Sequence, residues 1–381
     1  MRGTKARGLV AVAAVTIGLL GAASTMAGAS SDPAPEWTEI VPGGDCQCAD
    51  GADFSFFARE ADPTKVMFFL EGGGACFDPV TCAFTSDPST TYDWDIGDDD
   101  DPATMGGIFD FDHPGNPFAD YSVVYVPYCT GDIHLGNTTH EFSPELSVQF
   151  KGAVNGAAAV EYLAGNFADA EQVVVVGESA GSAAAPLYSG LISDAMDSPR
   201  ITVFADGSGA YPDEPALNAA VGGLWGTMNA VPDWEGTEDM TVEEWSLPGL
   251  WVQAGTHDPD IVMARFDFAY DATQSFFAGL VGVPADDLLS FIDANEATVE
   301  AAGVEQWSYT APGSDHTLVR NDAFYEMEVE GVTLVDWVSA LVAGEEIADV
   351  HCEECEPPAP AGSDPADDGA AAGTDVTSST G

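Results

Sequence analysis

One serine stands in the setting that nucleophilic catalysis requires. Ser179 is the middle residue of Gly177-Glu-Ser-Ala-Gly181, which directly follows the apolar run Val173–Val176 and precedes the small-residue stretch Ser182–Met196. A serine between two glycines at a strand-to-helix turn is typical of a nucleophile elbow, because a tight turn without side chains leaves the serine oxygen exposed. The pattern predicts that Ser179 is the nucleophile of an acyl-transfer reaction, with a structural glycine-rich turn as the alternative.

A second glycine-rich turn offers hydrogen-bond donors for the same reaction. Glu71-Gly-Gly-Gly-Ala75 follows the apolar run Val66–Leu70. We expect this turn to offer one backbone N–H group and Ala180 to offer a second, so that the two form an oxyanion hole. A phosphate-binding loop is the alternative interpretation, but the Gly-Lys-Ser/Thr sequence that such a loop needs does not follow.

Three histidines come after Ser179 in the chain, and one of them is placed as a catalytic base. His316 lies in a loop after the last predicted strand, which is where a base is expected when acid and histidine follow the serine in that order. His257 directly precedes the preferred acid and would point away from it on an extended chain. His351 lies beside cysteines and is predicted to be structural.

The acid that orients His316 has three candidates. Asp258 ends a segment that begins with the predicted strand Leu250–Gln253, and it is the preferred choice. Asp206, which follows the preceding predicted strand, and Asp260 remain alternatives. The chain holds 64 acidic residues, so an aspartate nearby in sequence is weak support by itself.

The elements that must position these residues alternate between short apolar runs and helical stretches. Such alternation predicts a mostly parallel sheet with helices on both faces. Two long acidic stretches that carry aromatic residues interrupt the pattern and are predicted to form a lid or cap; they are Asp78–Asp120 and Tyr211–Leu247. The predicted strands are Val66–Leu70, Val123–Val126, Val173–Val176, Ile201–Phe204, Leu250–Gln253 and Trp307–Tyr309, and the predicted helices are Pro144–Phe167, Ser182–Met196 and Thr333–Val342.

The charge balance excludes several classes of partner. The 381 residues include nine Lys and Arg against 64 Asp and Glu, a formal net charge of −55. Binding to nucleic acid or to an anionic membrane surface needs basic residues, so neither partner is expected. With 45% hydrophobic residues the chain can still bury a large core. Acids at this density also predict adaptation to high salt, where counterions screen the self-repulsion.

The termini predict processing and disorder. Residues 1–29 have a basic start, the apolar run Leu9–Leu20 and the small-residue sequence Ala27-Gly-Ala29, which together predict a cleaved secretory signal peptide rather than a membrane anchor. Residues 30–355 are predicted to form the catalytic domain, located outside the cell. Residues 356–381 are acidic and of low complexity, and are predicted to be disordered.

Export makes disulfides the expected fate of the cysteines. We expect Cys46-x-Cys48 to crosslink with Cys352-x-x-Cys355 and so to tie the two ends of the domain together, with a zinc site from the same four thiols as the alternative. Cys76 and Cys82 are predicted to close a short loop. Cys129 is then left as a buried free thiol.

Four blocks of sequence resemble the pectin acetylesterase/Notum family, and the likeness runs from about Trp37 to Val350. The resemblance implies a secreted serine esterase of α/β-hydrolase fold. It implies Ser179 as nucleophile, the segment around Asp258 as acid and His316 as base, with Gly73, Gly74 and Ala180 at the oxyanion hole. The four blocks are Leu70–Cys76, Val126–Asp132, Gly177–Gly181 and Ala205–Gly209.

The sequence therefore predicts a serine carboxylic-ester hydrolase of α/β-hydrolase fold with acidic insertions, acting as a deacetylase-type esterase on a small-molecule or polysaccharide ester. No cofactor is expected, and a monomer without a membrane contact after signal cleavage is predicted. No metal site is expected either, because the acidic loop Asp93–Asp101 lacks the EF-hand spacing and the earlier histidines match no common zinc pattern. The alternatives are a polyester depolymerase or peptidase on the same triad, and a non-catalytic exported binding protein.

Overall fold

A nine-stranded sheet organises the part of the chain that the computed structural model describes, which is residues 35–284, 287–353 and 355. The predicted signal peptide and C-terminal tail lie outside the described residues. Within them, no helix is both long enough and apolar enough to cross a bilayer.

The strands and helices are numbered in chain order. The strands are β1 Trp37–Ile40, β2 Phe56–Arg59, β3 Asp62–Leu70, β4 Tyr121–Val126, β5 Thr138–Ser143, β6 Leu146–Phe150, β7 Gln172–Glu178, β8 Arg200–Asp206, β9 Val262–Phe268, β10 Gln306–Ala311, β11 Glu328–Val329, β12 Val332–Thr333 and β13 Val350–His351. The α-helices are α1 Gly152–Asn166, α2 Ala180–Ala195, α3 Pro215–Trp225, α4 Leu247–His257, α5 Ala272–Leu280, α6 Leu288–Ala301 and α7 Leu334–Ala343. Short 3-10 helices cover Asp98–Asp100, Pro102–Thr104, Gly107–Phe109, Thr227–Asn229 and Asp322–Tyr325.

The main sheet is mostly parallel, with the order β1-β2-β4-β3-β7-β8-β9-β10-β13. Only the pairings of β2 with β1 and with β4 are antiparallel. The carboxyl ends of β3, β7, β8, β9 and β10 therefore meet at one edge of the sheet, where ligand sites of open α/β sheets form. This arrangement is an α/β-hydrolase fold and confirms the predicted fold class.

Side chains of alternate strand residues enter two separate cores, because successive residues of a strand point to opposite faces. On β3, Val66, Phe68 and Leu70 pack into the core that also holds residues of α1, α2, α4 and α6. Met67 and Phe69 pack on the other face, with residues of α7. Both faces of the sheet are covered, which explains why its central strands read as continuous apolar runs.

Two predicted elements are wrong. The start of the predicted helix Pro144–Phe167 is strand β6, which pairs with β5 in a hairpin, and the helix α1 begins only at Gly152. The predicted strand Leu250–Gln253 lies inside α4. Ser246 caps that helix by accepting the N–H of Gly249, and Pro248 occupies its first turn; both are signals for a helix start.

The cysteine pairing also differs from the prediction. The disulfides are Cys48–Cys129, Cys76–Cys82 and Cys352–Cys355, and the buried thiol of Cys46 is free. Only the Cys76–Cys82 bridge was predicted. The expected crosslink between the ends of the domain does not form because β1 and β13 lie at opposite edges of the nine-stranded sheet.

Candidate active site

The turn between β7 and α2 holds Ser179 in a strained conformation. Its φ is +50° and its ψ is −114°, a region that residues other than glycine rarely adopt. The flanking glycines are required because a Cβ on Gly177 would lie 2.4 Å from the carbonyl oxygen of Gly181, and a Cβ on Gly181 would lie 2.0 Å from that of Leu70. Strain of this kind persists only where the surrounding structure imposes it, and it marks functional positions.

His316 lies directly against the serine. Its Nε2 is 2.6 Å from Ser179 Oγ, although 137 residues separate them in the chain. The histidine belongs to the loop after β10, and this loop is anchored by Asp206 at the end of β8. One carboxylate oxygen of Asp206 accepts the N–H groups of Leu318 (2.8 Å) and Val319 (2.9 Å).

The acid beside His316 is Asp271, and the sequence prediction missed it. Asp271 Oδ2 is 2.7 Å from His316 Nδ1, and the carboxylate is fully buried. The residue follows β9 and is the N-cap of α5, where its other oxygen accepts the N–H groups of Thr273 and Gln274. Ser179, His316 and Asp271 thus form a continuous hydrogen-bonded row.

The preferred acid, Asp258, is not at this site, and that prediction is wrong. It ends helix α4, not a strand, and accepts a hydrogen bond from Ser193 on α2. Of the two alternatives, Asp206 anchors the histidine loop without contacting the ring, and Asp260 is exposed.

A signal for Asp271 was present in the sequence. The segment Val262–Phe268 is a strand, but it carries Arg265 and Asp267, which break the apolar pattern of the other central strands. Three residues after its end stands Asp271, which begins Asp271-Ala-Thr-Gln274, and aspartate is a preferred helix N-cap. Recognising the strand would have required expecting buried charges in it.

Electrostatics favour an easily protonated imidazole. Burial lowers the pKa of His316, but the hydrogen bond and charge of Asp271, with smaller effects of Asp206 and Glu178, outweigh burial and leave the pKa raised. Burial also raises the pKa of Asp206, to about 8. An imidazole stabilised in its charged form suits a base that must take the serine proton.

The glycine-rich turn after β3 lies beside the serine. A Cβ on Gly72 would be 2.8 Å from the Cβ of Ser179, so the turn needs glycine to approach this closely. Within the described chain, the N–H groups of Gly73, Gly74 and Ala180 donate no backbone hydrogen bond. Gly74 and Ala180 line the same pocket as Ser179.

The first acidic insertion shapes this turn. The N–H of Asp93 donates to the carbonyl of Gly73 at 2.9 Å, and that of Ala75 donates to the carbonyl of Thr91 at 3.3 Å. Gly74 has a φ of +78°, and a Cβ there would lie 2.1 Å from the Thr91 oxygen. The insertion therefore holds the backbone of the turn in place.

The second insertion builds the wall of an apolar pocket beside Ser179. The open pocket encloses about 730 Å³, part of it open solvent. Its aromatic lining consists of Phe77, Tyr211, Trp225, Trp245 and Phe277, supplied largely by the stretch Tyr211–Leu247 and by α5. The predicted cap thus contributes to the cleft in which the serine lies.

The remaining histidines lie apart from this row. His134 is buried and bonds to the carbonyl of Glu71 through Nε2, and burial lowers its pKa to about 4. His257 pairs with Asp194 at 2.8 Å. His351 is near Asp293 and Glu296, close enough for a shared cation, but Glu296 already pairs with Arg265.

The sheet order, the strained serine after β7 and the position of the histidine after β10 are those of the α/β-hydrolase fold. Residues 40–221 match the family model of the pectinacetylesterases. This match confirms the resemblance to that family that the sequence motifs predicted.

Two relatives and one solved structure to which the chain is similar carry the name Notum. The chain is 32% identical over 147 residues to the palmitoleoyl-protein carboxylesterase NOTUM of Schmidtea mediterranea, and 28% identical over 143 residues to palmitoleoyl-protein carboxylesterase notum2 of Xenopus laevis. Each match covers 35% of this chain and about a quarter of the relative, 26% and 27% respectively. The crystal structure of the Wnt deacylase Notum from Drosophila superposes with a TM-score of 0.59 over 85% of this chain and 98% of that chain; at 17% identity this likeness shows the fold.

Proposed function

We propose that the protein is a serine carboxylic-ester hydrolase that works through Ser179, His316 and Asp271. The observation that carries the proposal is the hydrogen-bonded row of these three residues, with the serine strained at the tip of its turn. The family match over residues 40–221 supports the same activity.

The geometry suggests the order of steps. His316 Nε2 accepts the proton of Ser179 as the serine oxygen attacks the acyl carbon, and Asp271 stabilises the resulting imidazolium. The N–H groups of Gly73 or Gly74 and of Ala180 hold the developing oxyanion. His316 then gives the proton to the departing alcohol, and water attacks the acyl-enzyme with His316 again as base.

The pocket beside Ser179 is proposed to hold the acyl group. Its lining is mostly apolar and includes two tryptophans, which favours an acyl chain longer than acetyl. A deacetylase acting on an acetylated polysaccharide is the second candidate, because the matching family model is that of the pectinacetylesterases. With its acidic surface, the enzyme is expected to prefer a neutral glycan or small ester to a polyanion at low ionic strength.

A chemical probe and one substitution test this function. Ser179→Ala should abolish hydrolysis of p-nitrophenyl acetate and labelling by a fluorophosphonate, whereas Ser193→Ala, a serine on α2 that contacts Asp258, should keep both. A peptidase would hydrolyse amides in parallel, a polyester depolymerase would release monomers from a polymer film, and a binding protein would not be labelled. Unchanged turnover in Ser179→Ala would exclude the proposed nucleophile.

Secretion and salt adaptation belong to the same proposal. The three disulfides suit an oxidising compartment, which supports secretion. The excess of acids supports a working environment of high salt. A melting temperature that fails to rise between low and molar salt would count against this second part.

A further inference from the structure

Arg320 joins three pieces of the candidate active site. It lies four residues after His316, on the loop that carries the base. Its Nη1 is 2.6 Å from Glu71 Oε1, and its Nε is 2.5 Å from Glu178 Oε2. Glu71 directly precedes the glycine-rich turn, and Glu178 directly precedes Ser179.

The two carboxylates are tied to the same surroundings by further bonds. Glu178 Oε1 accepts the hydroxyl of Thr317, the neighbour of His316, at 2.8 Å. Glu71 Oε2 accepts the N–H of Tyr128 at 3.2 Å. Both carboxylate side chains are more than nine-tenths buried, with exposed fractions of 3% for Glu71 and 7% for Glu178. Removing the arginine would leave two buried carboxylates facing each other without a cation.

The scarcity of basic residues makes this placement informative. Only six Lys and Arg follow residue 29, against 64 acids. Basic side chains are scarce in this chain, yet an arginine lies between two buried glutamates at the base of the site. A guanidinium presents several donors in a rigid plane, so it can fix the separation of two carboxylates, which the point charge of a lysine cannot do.

We propose that Arg320 is a positioning residue for ester hydrolysis. It holds the ends of β3 and β7 and the histidine loop in one arrangement. The glycine-rich turn after β3, Ser179 and His316 therefore keep the relative positions that the reaction needs. The inference rests on the proposed function, since it concerns the reaction at Ser179. It adds to that function a residue that touches none of the reacting atoms.

The diagnostic variant is Arg320→Lys, which keeps the charge and loses the planar contacts. We expect its kcat to fall about tenfold while KM stays within about threefold, because misplacing the catalytic groups by a fraction of an ångström affects the chemical step most. The kcat of Arg320→Gln should fall further than that of Arg320→Lys. Labelling of Ser179 by a fluorophosphonate should slow by the same factor. Most of the loss should persist in molar salt, because both carboxylates are buried and only the arginine is partly exposed.

Matched variants keep the test decisive. Arg59→Lys changes a buried arginine that bonds to the carbonyl of Tyr121 at the opposite edge of the sheet, and it should leave kcat unchanged. If the Arg320 variants do not fold, Glu178→Gln removes one arm of the pair and should lower kcat in the same direction. Folded Arg320→Lys or Glu178→Gln with wild-type kcat and labelling rate would overturn the inference. If the wild type is labelled normally but hydrolyses no ester, the proposed substrate class is wrong. The effect of Arg320 can then still be measured on the labelling rate.

Discussion

Gln274 donates its side-chain amide to Asp271 at 3.1 Å, to the same carboxylate oxygen that faces His316. The amide also donates to Asp267 at 3.0 Å, and its oxygen accepts the N–H of Ala210 at 2.9 Å. Gln274 is fully buried, so each of these bonds lies away from water. The carboxylate of Asp271 is therefore fixed by an uncharged donor, the Gln274 amide, which lies between the carboxylates of Asp267 and Asp271.

Replacing that donor should impair both catalysis and stability. Gln274→Glu would set a third carboxylate against Asp267 and Asp271, and we expect kcat to fall at least about tenfold, with a lower urea midpoint of unfolding. Gln274→Met, which removes the donor without adding charge, should lie between this variant and the wild type. Gln172→Glu is the control, because Gln172 bonds to the carbonyl of Val342 at the start of β7, away from the site. Equal kcat for Gln274→Glu and the control would contradict the role.

A pair of aspartate substitutions separates the acid seen in the structure from the acid expected from the sequence. Asp271→Asn should lower kcat by on the order of 10³ to 10⁴, since the imidazole loses its orienting carboxylate. Asp258→Asn should stay within about twofold, because Asp258 contacts Ser193 on the far side of α2. Steady-state kinetics of both variants on p-nitrophenyl acetate measure the two losses in kcat. A larger loss in Asp258→Asn than in Asp271→Asn would identify Asp258 as the acid.

These residues show where sequence reasoning succeeds and where it ends. The serine elbow was recognisable because its constraint is local: two glycines and a strand-to-helix turn. His316 was recognisable from its place in the chain order. Asp271 depended on identifying β9, whose Arg265 and Asp267 are buried by pairing with Glu296 and bonding to Gln274, contacts that only the folded chain creates.

Long-range pairing limits prediction in the same way. Cys48 reaches Cys129 across 81 residues because the segment after β1 runs beside the segment after β4, where Ala49 donates to the carbonyl of Cys129. The spacing of the cysteines in the sequence does not indicate that Cys48 and Cys129 lie close together. The Cys76–Cys82 bridge was predictable because its loop is short.

The raised pKa of His316 predicts the acid side of the pH profile. The base must be neutral to accept the serine proton, so kcat/KM should fall as the pH drops through a midpoint above the usual value of about 6.5. Asp271→Asn should move this midpoint downward in whatever activity remains, because it removes the main stabilisation of the imidazolium. A wild-type midpoint well below pH 6 would contradict the expected direction.

The acyl pocket predicts a change in chain-length preference when it is filled. Val221 lines the pocket from α3, so Val221→Trp should lower kcat/KM for p-nitrophenyl octanoate about tenfold or more and leave the acetate within about threefold. Ala220→Trp is the matched control, because Ala220 is exposed on the same helix. A parallel loss on both esters would show that the acyl chain does not enter this pocket.

Asp206 predicts a specific dependence of stability on pH. Burial raises its pKa in the folded protein to about 8, whereas an aspartate in the unfolded chain titrates near about 3.9. Between these values the unfolded chain has lost a proton that the folded protein retains, so a rise in pH favours unfolding.

Asp206→Asn keeps an oxygen that can accept the N–H groups of Leu318 and Val319, and it removes the titration. The free energy of unfolding of this variant, relative to that of the wild type, should therefore increase from pH 5 to pH 8 by on the order of a few kcal/mol. Urea unfolding of both proteins at pH 5, 7 and 8.5 in constant molar salt measures the difference, and a difference that stays flat across this range would show that Asp206 is already ionised in the folded protein.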